Sequence, residues 1–132
     1  DYVEIQWGML QRETPEDFVI ATGRQESVRT FIELASKELG WGGIIWEGKG
    51  IKEVGRRKDN NQIVIKIDKK YFRPCEVNSL IGDATKAREK LNWQPKTTLE
   101  ELVSDMIKND LMLAKKDSLL KNKGYKLSFP RD

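Results

Sequence analysis

The chain has 132 residues, 38% hydrophobic and 34% charged, with 24 Lys and Arg against 21 Asp and Glu. That size and polarity fit one compact, water-soluble globular domain with a mild basic bias. The absence of histidine removes Ser-His-Asp, Cys-His and His-metal chemistry, and a single cysteine, Cys75, excludes an internal disulfide.

Residues 2–11 place Val3, Trp7 and Leu10 at helical spacing, with Ile5 and Met9 nearby, and predict a helix broken at Pro15. The apolar run 17–23, "DFVIATG", predicts a buried, central, parallel strand. Ser27 predicts an N-cap for a helix through about Leu39, with Val28, Phe31, Ile32, Ala35 and Leu39 inward. Residues 44–48, "IIWEG", predict a second strand. The glycine-rich, charged stretch 49–62 predicts a mobile surface loop, and "IVIKID", 63–68, alternates as a half-buried strand does. Asp83 predicts the cap of a helix at 84–91 with Ala84, Ala87 and Leu91 inward, and a turn at 92–95 buries Trp93. Thr98 and Glu101 form a T-x-x-E capping box opening a helix to about Lys116, with one more helical turn at 118–122. Leu99, Leu102, Val103, Met106, Ile107 and Leu113 are its core candidates.

The segment "KKYFRPCEV", 69–77, carries the chemistry. The Arg73 guanidinium is a planar cation that matches phosphate oxygens two at a time. A carboxylate such as Glu76 accepts two hydroxyl donors, as from a ribose diol. Pro74 stiffens the connection between them. The pair therefore suits a phosphorylated sugar, while a salt bridge at a strand end is the plainer alternative. Tyr71 and Phe72 either lie against a base or sugar or divide between core and core edge. The basic run "GRRKDNN", 55–61, either steers an anion or is solvated. The four tryptophans read as core or boundary residues. Cys75 reads as a packing residue, since no histidine activates it. There is no G-x-G-x-x-G and no Tyr-x-x-x-Lys. The dispersed carboxylates offer no metal cage.

The segments "DYVEIQWGMLQRETPEDFVIATG", "SVRTFIELA", "KKYFRPCEVNSLIGDATKAREKLNWQPKTTLEELVSDMIKNDL" and "SLLKNKGY" together resemble the C-terminal part of the GDP-mannose 4,6-dehydratase family, in the extended short-chain dehydrogenase/reductase superfamily. The match is most specific at Y-F-R-P-x-E-V, L-x-G-D-x-T-K-A and L-x-W-x-P, and poorest at 49–62. The resemblance implies an α/β fold. Residues 1–23 would be the last helix and strand of an NADP-binding Rossmann domain, and residues 24–132 a small α+β substrate-binding domain. It implies that Arg73 meets the diphosphate of GDP-mannose and Glu76 its ribose hydroxyls. The family reaction oxidises C4 of the hexose with NADP, expels water across C5–C6 and returns the hydride to C6. Its catalytic groups and NADP site lie in a part that nothing here matches, so this chain is expected to be inactive alone. The implied partners are GDP-mannose, the N-terminal Rossmann part and further copies in a dimer or tetramer, in the cytoplasm, with no nucleic acid or membrane. The alternative readings are a free-standing basic nucleic-acid-binding module and an oligomerisation domain. The chain opens without methionine directly into an apparent helix and is expected to be a piece of a longer protein.

Overall fold

The computed structural model describes residues 1–75, 77 and 79–125. Five lengths of chain build its first half: α1 (Tyr2–Leu10), α2 (Val28–Glu38), β1 (Ile44–Glu47), a 3-10 turn (Gly50–Lys52) and β2 (Val54–Arg57). β3 (Ile63–Lys66), α3 (Thr85–Leu91) and α4 (Leu99–Asn122) complete it. The fold mixes helices with one small antiparallel sheet, in the order β1-β2-β3.

Local chemistry starts α2 and α4 where expected, whereas α3 begins at Thr85 with Ala84, not Asp83, at its N-cap and no side-chain cap bond. Ser27 accepts the Thr30 amide at 3.0 Å and opens α2. Thr98 and Glu101 form a reciprocal capping box at α4: Thr98 Oγ1 accepts the Glu101 amide at 3.2 Å, and Glu101 Oε2 accepts the Thr98 amide at 2.8 Å. The Thr98 amide, and after it the Thr98 hydroxyl at 2.9 Å from Glu101 Oε2, lower the Glu101 pKa. Asp83 accepts both the amide and the hydroxyl of Thr85, at 2.9 and 2.6 Å, at the start of α3. α4 runs unbroken to Asn122, past Lys116, absorbing the turn expected separately at 118–122.

Two expectations fail. Residues 17–22 form no strand. A parallel strand needs a hydrogen-bonded neighbour, and none lies beside this run among the described residues. The run is held by side chains instead: Phe18, Ile20 and Ala21 turn towards the core while Val19 is exposed. The stretch 49–62 is not a loop throughout, for β2 lies within it and is the central strand. β2 pairs with β1 in the register Ile44↔Arg57, Ile45↔Arg56, Trp46↔Gly55, Glu47↔Val54. It pairs with β3 through Val54↔Lys66, Gly55↔Ile65 and Arg56↔Ile63, with an irregularity between Gly55 and Arg56. Gly55 suits the centre because a Cβ there would stand 3.0 Å from Ile44 Cγ2 and from Ile65 Cβ and Cγ1. The neighbours already fill that space.

One core joins Ile5, Ala84, Ala87 and Trp93, with Met9, Phe18, Ile20, Ala21 and Leu91 packed against it. The Trp93 indole donates to the Asp1 carbonyl at 3.2 Å, so its polar edge is satisfied. Elsewhere Ser36 of α2 and Val103 of α4 are buried between contacting helices, and Ser36 Oγ donates to the Glu33 carbonyl at 2.8 Å. The sheet is bound to α2 by Trp46, whose indole donates to Glu33 at 3.1 Å beneath the Arg29 guanidinium, 4.3 Å from the ring centre. Arg29 also pairs with Glu53.

The expected apolar faces are only partly covered. On α1, Ile5 is buried, whereas Val3, Trp7 and Leu10 are exposed, Trp7 at 65%. Val28 on α2 and Leu102, Met106 and Leu113 on α4 are exposed as well. Helical spacing marks the apolar positions but does not say which of them meet a neighbour.

Candidate functional site

The segment after β3 is shaped at its start by Asp68. Its side chain accepts the Lys70 amide at 2.9 Å and its carbonyl accepts the Tyr71 amide at 3.1 Å, which reverses the chain. Lys70 Nζ lies 5.2 Å from the centre of the Tyr71 ring. Tyr71 is 72% exposed and Phe72 40%. Neither fills a core, so the division of the two between core and core edge does not hold. Phe72 instead points its ring tip at the 3-10 turn, 3.9 Å from where a Gly50 Cβ would stand.

Arg73 follows, exposed, and Cys75 is an exposed free thiol rather than a packing residue. Glu76 lies outside the described residues. Beyond it the chain is fastened again. Gln25 Oε1 accepts the Leu80 amide at 3.0 Å. Gly82 passes so close to the 19–21 run that an added Cβ would stand 2.7 Å from Ala21 Cβ. Asp83, with its pKa lowered chiefly by the Thr85 hydroxyl, completes the attachment to α3. Arg73 therefore stands on an arch whose described residues are exposed, tied to the fold at β3 before it and at Leu80 and Gly82 after it.

A cavity of about 490 Å³ lies elsewhere, between the start of α1 and the start of α4, lined by Tyr2, Arg24, Trp93, Lys96 and Leu102 among others. Arg73 is not among its walls. Both cations there have local partners: Arg24 pairs with Glu26 at 2.6 Å and Lys96 with Glu4 at 3.0 Å. Such a cavity offers an anion little net positive charge.

The basic run at 55–61 is largely engaged within the fold. Arg56 pairs with Glu47 at 2.9 Å. Arg57 forms a fork with Asp59, at 2.9 and 2.5 Å, and lies over Trp41, 4.4 Å from its ring centre. The Arg57 hydrogen bond is the main cause of the lowered Asp59 pKa. Both guanidiniums of the run are thus paired within the fold. Trp93 is buried and Trp41 and Trp46 are half-buried, as expected, but Trp7 is exposed. Among the described residues no group of three or more His, Cys, Asp and Glu could hold a metal ion, and no helix is long and apolar enough to cross a membrane.

The family model for GDP-mannose 4,6 dehydratase matches residues 1–106, and so takes in the whole arch. This chain belongs to the GDP-mannose 4,6-dehydratase family. It is 52% identical over 119 residues to the GDP-mannose 4,6 dehydratase of Drosophila melanogaster, covering 90% of this chain and 30% of the relative. It is 50% identical over 113 residues to the Homo sapiens protein of that name, covering 86% and 30%. To the Yersinia enterocolitica GDP-mannose 4,6-dehydratase it is 44% identical over 138 residues, covering 97% and 37%. The chain thus spans about a third of the length of these family members.

Proposed function

We propose that this chain is the nucleotide-sugar-binding part of a GDP-mannose 4,6-dehydratase, a lyase that forms GDP-4-keto-6-deoxymannose. The observation that carries the reading is Arg73, exposed on a tethered arch inside the region that the family model matches. A permanently charged, planar fork matches the oxygens of a diphosphate two at a time, and tethering limits the entropy lost when the ligand binds. Glu76, three residues on, is assigned to the ribose diol. Residues 1–23 belong to the end of a Rossmann domain and residues 24–132 to the substrate domain.

NADP fits no residues in this chain. A dinucleotide pyrophosphate requires a glycine-rich turn from a strand into a helix, and the sequence has no G-x-G-x-x-G. The tyrosine and lysine that would handle the proton are also lacking as a Tyr-x-x-x-Lys pair. Cofactor and chemistry are therefore assigned to the part of the protein outside this chain. The exposed Val3, Trp7 and Leu10 of α1 form an apolar face that such a part would cover. What this chain contributes is binding energy. Contacts to GDP, remote from the hexose, hold C4 and C5 in place for reaction. A cytoplasmic oligomer of the whole protein completes the proposal.

The test is steady-state turnover of GDP-mannose by the whole protein. Arg73→Ala should lower kcat/KM at least about tenfold, or about 1.4 kcal/mol of transition-state stabilisation. Unchanged kcat and KM would refute the assignment.

A further inference from the structure

The approach of the Phe72 ring tip to Gly50 brings together two stretches about twenty residues apart in sequence. The 3-10 turn is entered through Gly48, at φ +83°, where the Lys52 carbonyl oxygen would stand 2.5 Å from an added Cβ. Only glycine fits that entry, and it folds the turn back so that Gly50 meets the tip of Phe72. Along the chain Lys49 and Lys52 stand beside Gly50, and Lys69, Lys70 and Arg73 stand beside Phe72. Residues 49–52 and 68–73 together carry five cations and one carboxylate, Asp68. The carboxylates that border the 49–52 turn are matched elsewhere: Glu47 by Arg56 and Glu53 by Arg29. All four lysines are exposed, and no ion pair of theirs is seen among the described residues.

We propose that the 49–52 turn is a second wall of the nucleotide site, with Lys49 and Lys52 drawing the diphosphate of a nucleoside diphosphate onto Arg73. The inference rests on the assignment of Arg73 above and adds residues from a separate stretch of chain. The chemistry is electrostatic. Solvated ammonium groups act as point charges on flexible stems and do not hold an anion in one geometry as a guanidinium does. Within a Debye length of roughly 8–10 Å at moderate ionic strength they raise the local concentration of a polyanion and speed its approach. Their contribution therefore falls with added salt, whereas that of the directly bonded Arg73 falls less.

Titration of GDP into the whole protein at low and high salt tests this, with Lys49→Glu/Lys52→Glu, Lys49→Gln/Lys52→Gln and Arg73→Ala variants. Circular dichroism shows whether each variant is folded. The double Glu variant should lose about fivefold to tenfold in affinity near 50 mM salt and less than about twofold near 500 mM. The Gln pair should show a smaller loss of the same kind, and guanosine should not discriminate among the lysine variants. If Arg73→Ala weakens GDP while the lysine variants bind as the parent does, the second wall is refuted and the Arg73 site stands. A lysine effect that persists unchanged at high salt also overturns the proposal. If the parent protein fails to bind GDP, or no variant alters binding, both readings fall.

Discussion

Replacing Gly55 with alanine tests the packing at the centre of the sheet. The new methyl would stand 3.0 Å from one Ile44 carbon and two Ile65 carbons, on the strands to either side. Carbon atoms rest at about 3.5–4.0 Å, so these contacts are roughly 0.5–1 Å too short. The branched Ile65 contributes its Cβ, which cannot withdraw by a rotamer change, so the strand itself must yield. Overpacking of this kind costs about 1–3 kcal/mol. Alanine also restricts the unfolded chain, which offsets about 0.4–1 kcal/mol. The net loss is therefore about 1–2 kcal/mol, a fall of about 1 M in the urea midpoint at unchanged slope. An alanine variant as stable as the parent, or more stable, would show that Ile44 and Ile65 do not close over β2 as described.

Glu16 gives a pH-dependent expectation. It accepts from Lys90 at 2.6 Å and pairs with Lys86 at 3.1 Å and Arg12 at 3.0 Å. The Lys90 hydrogen bond, then that of Lys86, lowers its pKa from 4.5 to about 2. A carboxylate with a depressed folded-state pKa stabilises fully above its unfolded value and loses that effect as pH falls through the folded one. Glu16→Gln should thus be less stable than the parent above about pH 4.5, with the difference closing towards pH 2 in acid denaturation followed by circular dichroism; a pH-independent difference would refute the ion-pair origin. Thr98→Ala removes one arm of the α4 capping box and should cost about 1 kcal/mol in chemical denaturation, while Thr98→Ser should cost little; equal loss from both would assign the effect to the methyl group.

What the sequence made legible was local. Ser27 and the Thr98–Glu101 box act within one helical turn of themselves, and their bonds are found where the residue types place them. Trp93 was legible as a large apolar residue closing a turn. The 17–22 run misled because an apolar stretch looks the same whether its backbone pairs or only its side chains pack. β2 escaped notice because Gly55, Arg56 and Arg57 carry no alternating apolar pattern. Glycine is accommodated by the bulk of Ile44 and Ile65, and the arginines by Glu47, Asp59 and Trp41, all supplied by other turns and strands. In the candidate site, residue type marks a guanidinium beside a proline and nothing more. The exposure of Tyr71 and Phe72 could not be read from it, nor could the meeting of Phe72 with Gly50, which depends on how the 49–52 turn folds back.

Binding of a nucleoside diphosphate at the Arg73 arch is read most directly by phosphorus-31 resonance of GDP mixed with the protein, which reports on the phosphorus atoms concerned. Both phosphate signals should shift and broaden with the parent protein, and the change should largely vanish with Arg73→Ala. GDP signals that the parent leaves unmoved, or that Arg73→Ala perturbs as much as the parent does, would contradict it.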